Sequence, residues 1–448
     1  MQTKPWQPYL PTDSAPWNLR RAVHLHRRAG FAGNWKEIQL SLHDGPDRSI
    51  QRFLDGKASD PFLNEDFDAL AELLGKGAVS SGREEQLKAW WLFRMIFTPD
   101  PLTERLTLMW HNHFATSNQK VRNLGYMKSQ NDLLRKHAKG NFGDLLKQIV
   151  RSPAMLVWLD AQSNHKDHPN ENLARELMEL LTLGVGHYSE HDVKEVARAL
   201  TGWTIQDNKF VFDELIHDAG IKRVLGHEGA WNGDDVLRIL IDQPATAHRI
   251  AKRLCESFMG ENQVDDTLLD ELANGLRKNQ MNIRWAVETI LRSREFFAES
   301  NLGNRPLSPC ETIVGCIRAL EFVDPAPSTL LLAEWCSAMG QNLFNPPSVF
   351  GWPDGRSWLT ARTMIVRTNF ATTLAAGSAH TAARPYEWLQ HSRRISANAD
   401  DPSDHLALLF TGQPMAVNRT AVPIVAWSED EFRSALTALL NSPDVHIG

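Results

Sequence analysis

Thr103-Glu104-Arg105-Leu106-Thr107-Leu108-Met109-Trp110-His111-Asn112-His113-Phe114 sets how the rest of this chain reads. With Leu102 before it, Leu106, Met109 and His113 recur at helical spacing, so the imidazole of His113 shares an apolar stripe. A buried imidazole needs a partner for at least one nitrogen, whether a carboxylate, a backbone carbonyl or a metal. At about 100° per residue, His111 points roughly 160° away from His113. The two can bind one ion only if the helix ends or distorts there.

The same apolar period runs through Asn64–Leu74, Glu84–Phe97, Thr246–Met259 and Ser428–Leu440. Gly75, Gly140, Gly184 and Gly260 follow the last apolar turn of such segments, where a left-handed residue is wanted. Ser189-Glu190-His191-Asp192 and Ser428-Glu429-Asp430-Glu431 read as capping boxes. Lys209–Phe212 alternates and, after Asp218-Ala219-Gly220, Lys222–Leu225 offers a return strand. The expected fold is mainly α, a large multi-helix orthogonal array with one short β-hairpin near 209–225. A main helical domain over 1–300 carries the polar cluster and the hairpin, and a C-terminal helical lobe over 301–448 packs on it. Asp160–Pro169 and Asn345–Trp358 are rich in turn formers, and Ala382–Pro402 reads as a polar surface excursion.

A weak repeat links Phe142-x3-Leu146-x2-Ile149-Val150-x-Ser152, Ile283-x3-Val287-x2-Ile290-Leu291-x-Ser293 and Phe432-x3-Leu436-x2-Leu439-Leu440-x-Ser442. Any amphipathic helix shows the apolar part of that pattern, so helix geometry explains it more simply than descent from a repeated unit.

The 448 residues carry 48 Lys and Arg against 54 Asp and Glu, a net charge of −6. Without a basic excess, a dedicated nucleic-acid protein is not expected. No stretch approaches the roughly 18 apolar residues of a membrane span. The twin arginines Arg20-Arg21 and Arg27-Arg28 precede no apolar signal region, and the four cysteines show no CxxC spacing. The thiols read as reduced and structural, which points to the cytoplasm.

The densest polar cluster is Pro169-Asn170-Glu171-Asn172-Leu173-Ala174-Arg175-Glu176-Leu177-Met178-Glu179-Leu180. Asn170 suits an N-cap, and Asn172, Glu176 and Glu179 fall on one helical face beside the Glu171–Arg175 pair. Two carboxylates and an amide on one face can hold a divalent ion or divide acid and base roles. The plainer reading is a solvated ladder of ion pairs. His217-Asp218 and Lys222 sit in the expected hairpin, and Trp352 and Trp358 lie in the Pro/Gly loop, where they can stack on a sugar or pin the loop. Zincin, nucleophile-elbow, phosphate-loop and dinucleotide-binding patterns are all missing.

Trp17 through Phe31, Trp110–Phe114, Pro169–Gly184, Ala197–Trp203, His217-Asp218 with Lys222, Gly340–Trp358 and Arg367–Phe370 together resemble a bacterial domain-of-unknown-function family, numbered eighteen hundred. That resemblance spans nearly the whole chain and implies a helix-rich protein, with many members exported. It also implies a neighbour: a second family, numbered fifteen hundred and one and similar to sulfatases and alkaline phosphatases, is often encoded beside it. Lacking an export signal, this chain is expected either to stay in the cytoplasm or to leave bound to a partner.

Two functions follow as expectations. One is a hydrolase or transferase acting on a polar glycan- or phosphate-type substrate. In it His113, Glu176, Glu179 and Arg175 are catalytic, and Asn170, Asn172, His217, Asp218, Lys222, Trp352 and Trp358 bind substrate. A divalent metal on His111, His113, Glu176 and Glu179 is the cofactor it would use. The other is a non-catalytic partner or maturation factor for a sulfatase-like protein.

Overall fold

Side-chain caps fix where most helices of this chain begin. The computed structural model describes residues 6–56, 61–323, 326–379, 402–413 and 429–448. Helix α1 (Leu19–Ala29) starts at Asn18, and α2 (Trp35–Asp55) at an Asn34–Glu37 capping box before kinking at Gly45-Pro46. Then come α3 (Pro61–Ser80), α4 (Glu84–Phe97), α5 (Pro101–His113), α6 (Asn118–Val121), α7 (Leu124–His137), α8 (Phe142–Val150) and α9 (Pro153–Trp158). The acidic segment forms α10 (Asn172–Glu176), which widens into a π-helical turn over Leu177–Thr182. Next are α11 (Glu190–Ala199), α12 (Gly233–Ile241), α13 (Pro244–Met259), α14 (Asp266–Lys278) and α15 (Ile283–Arg292). The C-terminal part holds α16 (Pro309–Ala319), α17 (Thr329–Ala338), α18 (Ala361–Ala375), α19 (Pro402–Thr411) and α20 (Glu429–Leu440).

The mainly α expectation holds, but the strand region differs from the single expected hairpin. Lys209–Phe212 (β2) pairs with Trp203–Gln206 (β1), and Lys222–Val224 (β3) pairs with His227–Gly229 (β4), both antiparallel. Each turn is two residues at positive φ: Asp207 and Asn208 at 51° and 62°, Leu225 and Gly226 at 47° and 82°. Such turns join adjacent strands tightly, so β2 is already paired before the chain reaches β3.

Two of the expected helix-ending glycines do something else. Gly184 and Gly260 take positive φ, at 88° and 103°. Gly75, however, lies inside α3. A Cβ there would meet Lys128 Cε at 2.5 Å and Trp90 Nε1 at 2.9 Å, so this glycine allows close helix packing. Gly140 lies in the turn after α7, its N–H donating to His137 O at 3.0 Å, without a positive φ.

The Ser189–Asp192 capping box forms; the other begins at Ser428, outside the described residues, as does the excursion over 382–401. The repeat has a structural counterpart in its first two units. Ser152 and Ser293 hydroxyls donate to Ile149 O and Ile290 O, both at 2.7 Å. Phe142 N–H donates to Met281 O at 2.9 Å and Ile283 N–H to Gly140 O at 2.8 Å, clasping the starts of α8 and α15.

Helix α5 is buried all round, as a helix between two cores must be. Leu102, Leu106, Met109 and Trp110 join a core built from α7 to α15 together with Leu25 and Ala29 of α1 and Ile50, Phe53 and Leu54 of α2. Leu108 joins a second core that combines Leu87, Trp91, Leu92 and Met95 of α4 with Ile313, Val314, Leu332 and Phe344. His113 faces the first core against Trp110, Phe114 and Phe142, and His111 faces the second. No helix among the described residues is long and apolar enough to cross a membrane.

Candidate functional site: an arginine-floored cleft between the two cores

One side of α5 borders a cleft through Arg105, Leu108, Met109 and Asn112, at i, i+3, i+4 and i+7. The last turns of α13 present Arg253, Glu256, Ser257 and then Gly260 at the same spacing. These two walls meet a third, made of Arg305, Ser308, Glu311, Gln341 and Asp354–Trp358, around a cleft of about 480 Å³.

The cleft floor is a buried charge cluster. Ser308 caps α16, and its capping-box partner Glu311 accepts Ser308 N–H at 2.9 Å. The Glu311 carboxylate also takes Arg105 Nη2 at 2.9 Å, Arg305 Nη1 at 3.2 Å and Arg305 Nη2. Behind it, Arg28 of α1 donates one nitrogen to Asn304 Oδ1 at 2.7 Å and to Asn301 O at 3.5 Å. Arg28 Nε and Nη1, Arg105 Nε and Arg305 Nε have no partner. Arg28 is 0 %, Arg105 5 %, Arg305 9 % and Glu311 1 % exposed, so two guanidiniums share one carboxylate away from water and a third is buried behind them. Burial pushes the Glu311 carboxyl up, but Arg105 and Arg305 outweigh it and hold it well below the usual carboxylate range. Burial pushes Arg105 down to about 10 despite the pull of Glu311, and pushes Arg28 well below its ordinary value.

Nearer the mouth, Arg253 pairs with Asp354 at 3.2 Å. Burial raises the carboxyl of Glu256 above its ordinary value, with Arg253 and Lys252 opposing. Asn112, Arg253 and Glu256 also wall a second cavity of about 290 Å³, lined further by His113, Leu180, Arg249, Lys252 and Phe350. The π-turn shapes this cavity. Its Leu181 carbonyl accepts from His113 Nε2 at 3.2 Å and its Leu180 carbonyl from Arg249 Nε at 2.8 Å. A carbonyl only accepts, so Nε2 carries the hydrogen. Burial, reinforced by Arg249 and Arg253, holds His113 well below the ordinary histidine value, so the ring is neutral.

The residues expected to form one centre are dispersed. His111 lies in an aromatic box, 5.2 Å from Trp91, 5.6 Å from Phe344 and 5.3 Å from a stacked Trp352, with neither ring nitrogen bonded. Burial pushes it down to about 3. Glu179 accepts Tyr188 OH at 2.7 Å, and half-burial followed by the Glu179 charge raises Glu176. Arg175 is committed to Glu190, through two bonds of 2.8 Å, and to Glu171. Among the described residues no three His, Cys, Asp or Glu side chains are placed to hold a metal ion. The expected set of His111, His113, Glu176 and Glu179 is therefore corrected: the α5 histidines face opposite cores, and the glutamates lie on neither.

Asn170 Oδ1 accepts Asn172 N–H at 2.9 Å, and Asn172 reaches Asp160. His217 bonds Thr201 O at 2.8 Å, Asp218 pairs with Arg198 at 2.7 Å, and buried Lys222 caps Asp218 O and Gly220 O. These tie the hairpin region to α11, and none of them lines either cavity. Trp352 packs on His111, while Trp358 does line the larger cleft. Arg105, Glu256, Arg305 and Glu311 are the residues that reading the sequence passed over. Ser308-Pro309-Cys310-Glu311 carried a legible signal, a capping box with Pro at the first helical position.

The Pro/Gly loop closes over α5 at one point. Gly351 has φ 88°, and a Cβ there would lie 2.2 Å from Asn112 Oδ1 and 2.6 Å from its backbone O. Asn112 Oδ1 in turn accepts Trp352 N–H at 2.6 Å. Gly351→Ala is expected to cost about 1–3 kcal/mol in urea unfolding, because it adds backbone strain to a clash. An unchanged midpoint would show that the loop rides free of α5.

The fold and cleft define a helical protein with an inter-core, arginine-floored pocket. The chain belongs to the DUF1800 family, described as a protein of unknown function, whose model matches residues 24–447. No curated protein and no solved structure matches it.

Proposed function

We propose that the protein binds an anionic, polar substrate in the larger cleft and acts on it as a hydrolase or transferase. The single observation behind this reading is that Arg105 and Arg305 are both buried on one carboxylate, Glu311, with a third guanidinium, Arg28, buried behind them. Uncompensated buried charge costs several kcal/mol, so such a surplus is complementary to an anion. A phosphate or the carboxylate of an acidic sugar matches the forked donors of arginine. Glu256 is the proton donor: burial favours its neutral form, and it stands on the cleft wall. In the step, the leaving-group oxygen takes the proton of Glu256. Water or an acceptor hydroxyl then adds to the transferred group and returns its proton to that carboxylate. Trp358 and Arg253 flank the path.

The test is thermal unfolding at constant ionic strength with inorganic phosphate, sugar phosphates and acidic sugars. A matching anion at about 100 times its Kd stabilises the fold by roughly 2.7 kcal/mol. Arg253→Gln, at the rim, is expected to weaken that shift, and Glu256→Gln to keep it while losing turnover. No anion raising the midpoint above chloride would sink the reading. It would favour the alternative, a non-catalytic partner of a sulfatase-like protein, whose complex Glu256→Gln leaves intact.

A further inference from the structure

Four cysteines far apart in sequence read as isolated reduced thiols, and all four are free and buried. Two of them nevertheless meet. Cys310, in the first turn of α16, and Cys336, near the end of α17, have sulfur atoms 2.8 Å apart. That is within about an ångström of the ~2.05 Å bond of a disulfide. Gln341 holds both: its Oε1 accepts Cys310 N–H at 2.9 Å, and its carbonyl accepts Cys336 S–H at 3.1 Å. Gln341 also lines the larger cleft, and Cys310 adjoins Glu311 on its floor.

We infer that Cys310 and Cys336 are a thiol–disulfide site that closes by exchange with a small disulfide such as oxidised glutathione. One protein thiolate attacks a glutathione sulfur and expels one glutathione thiolate, leaving a mixed disulfide. The second protein thiolate then attacks the protein sulfur of that mixed disulfide and expels the other glutathione. The chain loses two protons and two electrons, and glutathione disulfide becomes two glutathione thiols. Closure ties α16 to α17 and replaces the S–H donated to Gln341 by a covalent link beside it. Both sulfurs are fully buried, so exchange proceeds during folding or through opening of the C-terminal helices, not at the native surface. This inference is independent of the substrate proposed above.

The full chain is refolded, and in parallel held native, in glutathione buffers from fully reduced to fully oxidised. It is then acid-quenched, denatured and alkylated. The expected result under oxidising refolding is a peptide pair joined through Cys310 and Cys336, with Cys255 and Cys316 alkylated. The thermal midpoint should rise by several degrees over the reduced protein, as a disulfide closing a loop of this size gives. Cys310→Ser and Cys336→Ser should each abolish the link and the rise. Four alkylated thiols in every oxidised sample, stable glutathione adducts without closure, or links through Cys255 or Cys316 would each overturn the inference.

Discussion

Glu311→Gln lowers the unfolding free energy by about 3–5 kcal/mol, the cost of removing one partner from a buried ion cluster. The substitution keeps size and one acceptor but removes the charge that holds Arg105 and Arg305 and stands before Arg28. It also weakens the bond that Glu311 accepts from Ser308 N–H at the start of α16. Urea unfolding followed by tryptophan fluorescence reads the loss, and Glu311→Asp, which keeps the charge, should lose less. The pH sign follows from the depressed carboxyl. Its contribution is complete above the ordinary glutamate value and is lost only as pH falls through the lower folded value. Wild type and Glu311→Gln should therefore stay apart at pH 5 and converge only in stronger acid. A difference below about 1 kcal/mol at pH 7 would remove the buried-charge argument, and with it the ground for an anionic substrate.

His111→Phe leaves stability unchanged or raises it by about 1 kcal/mol at pH 7.5, because neither ring nitrogen has a partner to lose. The aromatic box of Trp91, Phe344 and Trp352 accepts a phenyl ring of similar size. At pH 5 the gain is larger, about 2 kcal/mol, from one histidine over the interval below its ordinary value at 1.36 kcal/mol per unit. The folded chain resists protonating His111 down to about 3, whereas the unfolded chain takes up that proton below about 6.5. Stability from this group is thus full above pH 6.5 and falls as pH drops toward 3. His26 and His446, each pushed to about 4 by burial, act in the same direction, as do His24 and His113. Wild type should therefore lose much of its stability between pH 6.5 and 5, and the variant should lose it one proton less steeply. A loss beyond about 2 kcal/mol at pH 7.5 would mean that a ring nitrogen has a bound partner.

The sequence by itself determined the helical class, because the apolar period of α4, α5 and α13 and the capping box at Ser189 are local features that survive any packing. It also determined that His113 would be buried with a bonded nitrogen, since the stripe it shares must face a core. Which strands pair was legible only as a turn, Asp207-Asn208, that a reading focused on the later Asp218-Ala219-Gly220 overlooks. What only the tertiary structure decided is the site. A helical stripe says which side chains turn inward but not toward which neighbour, so the opposed cores met by His111 and His113 are invisible along the chain. Arg28, Arg105, Arg305 and Glu311 come from three helices and a loop, and their meaning lies in the imbalance of buried charge where they meet. The polar run at 170–179 drew attention because its charges are adjacent in sequence, and adjacency favours local pairing such as Arg175 with Glu171. Charges brought together from distant positions have no such local outlet, so their burial and their surplus belong to the packed molecule alone.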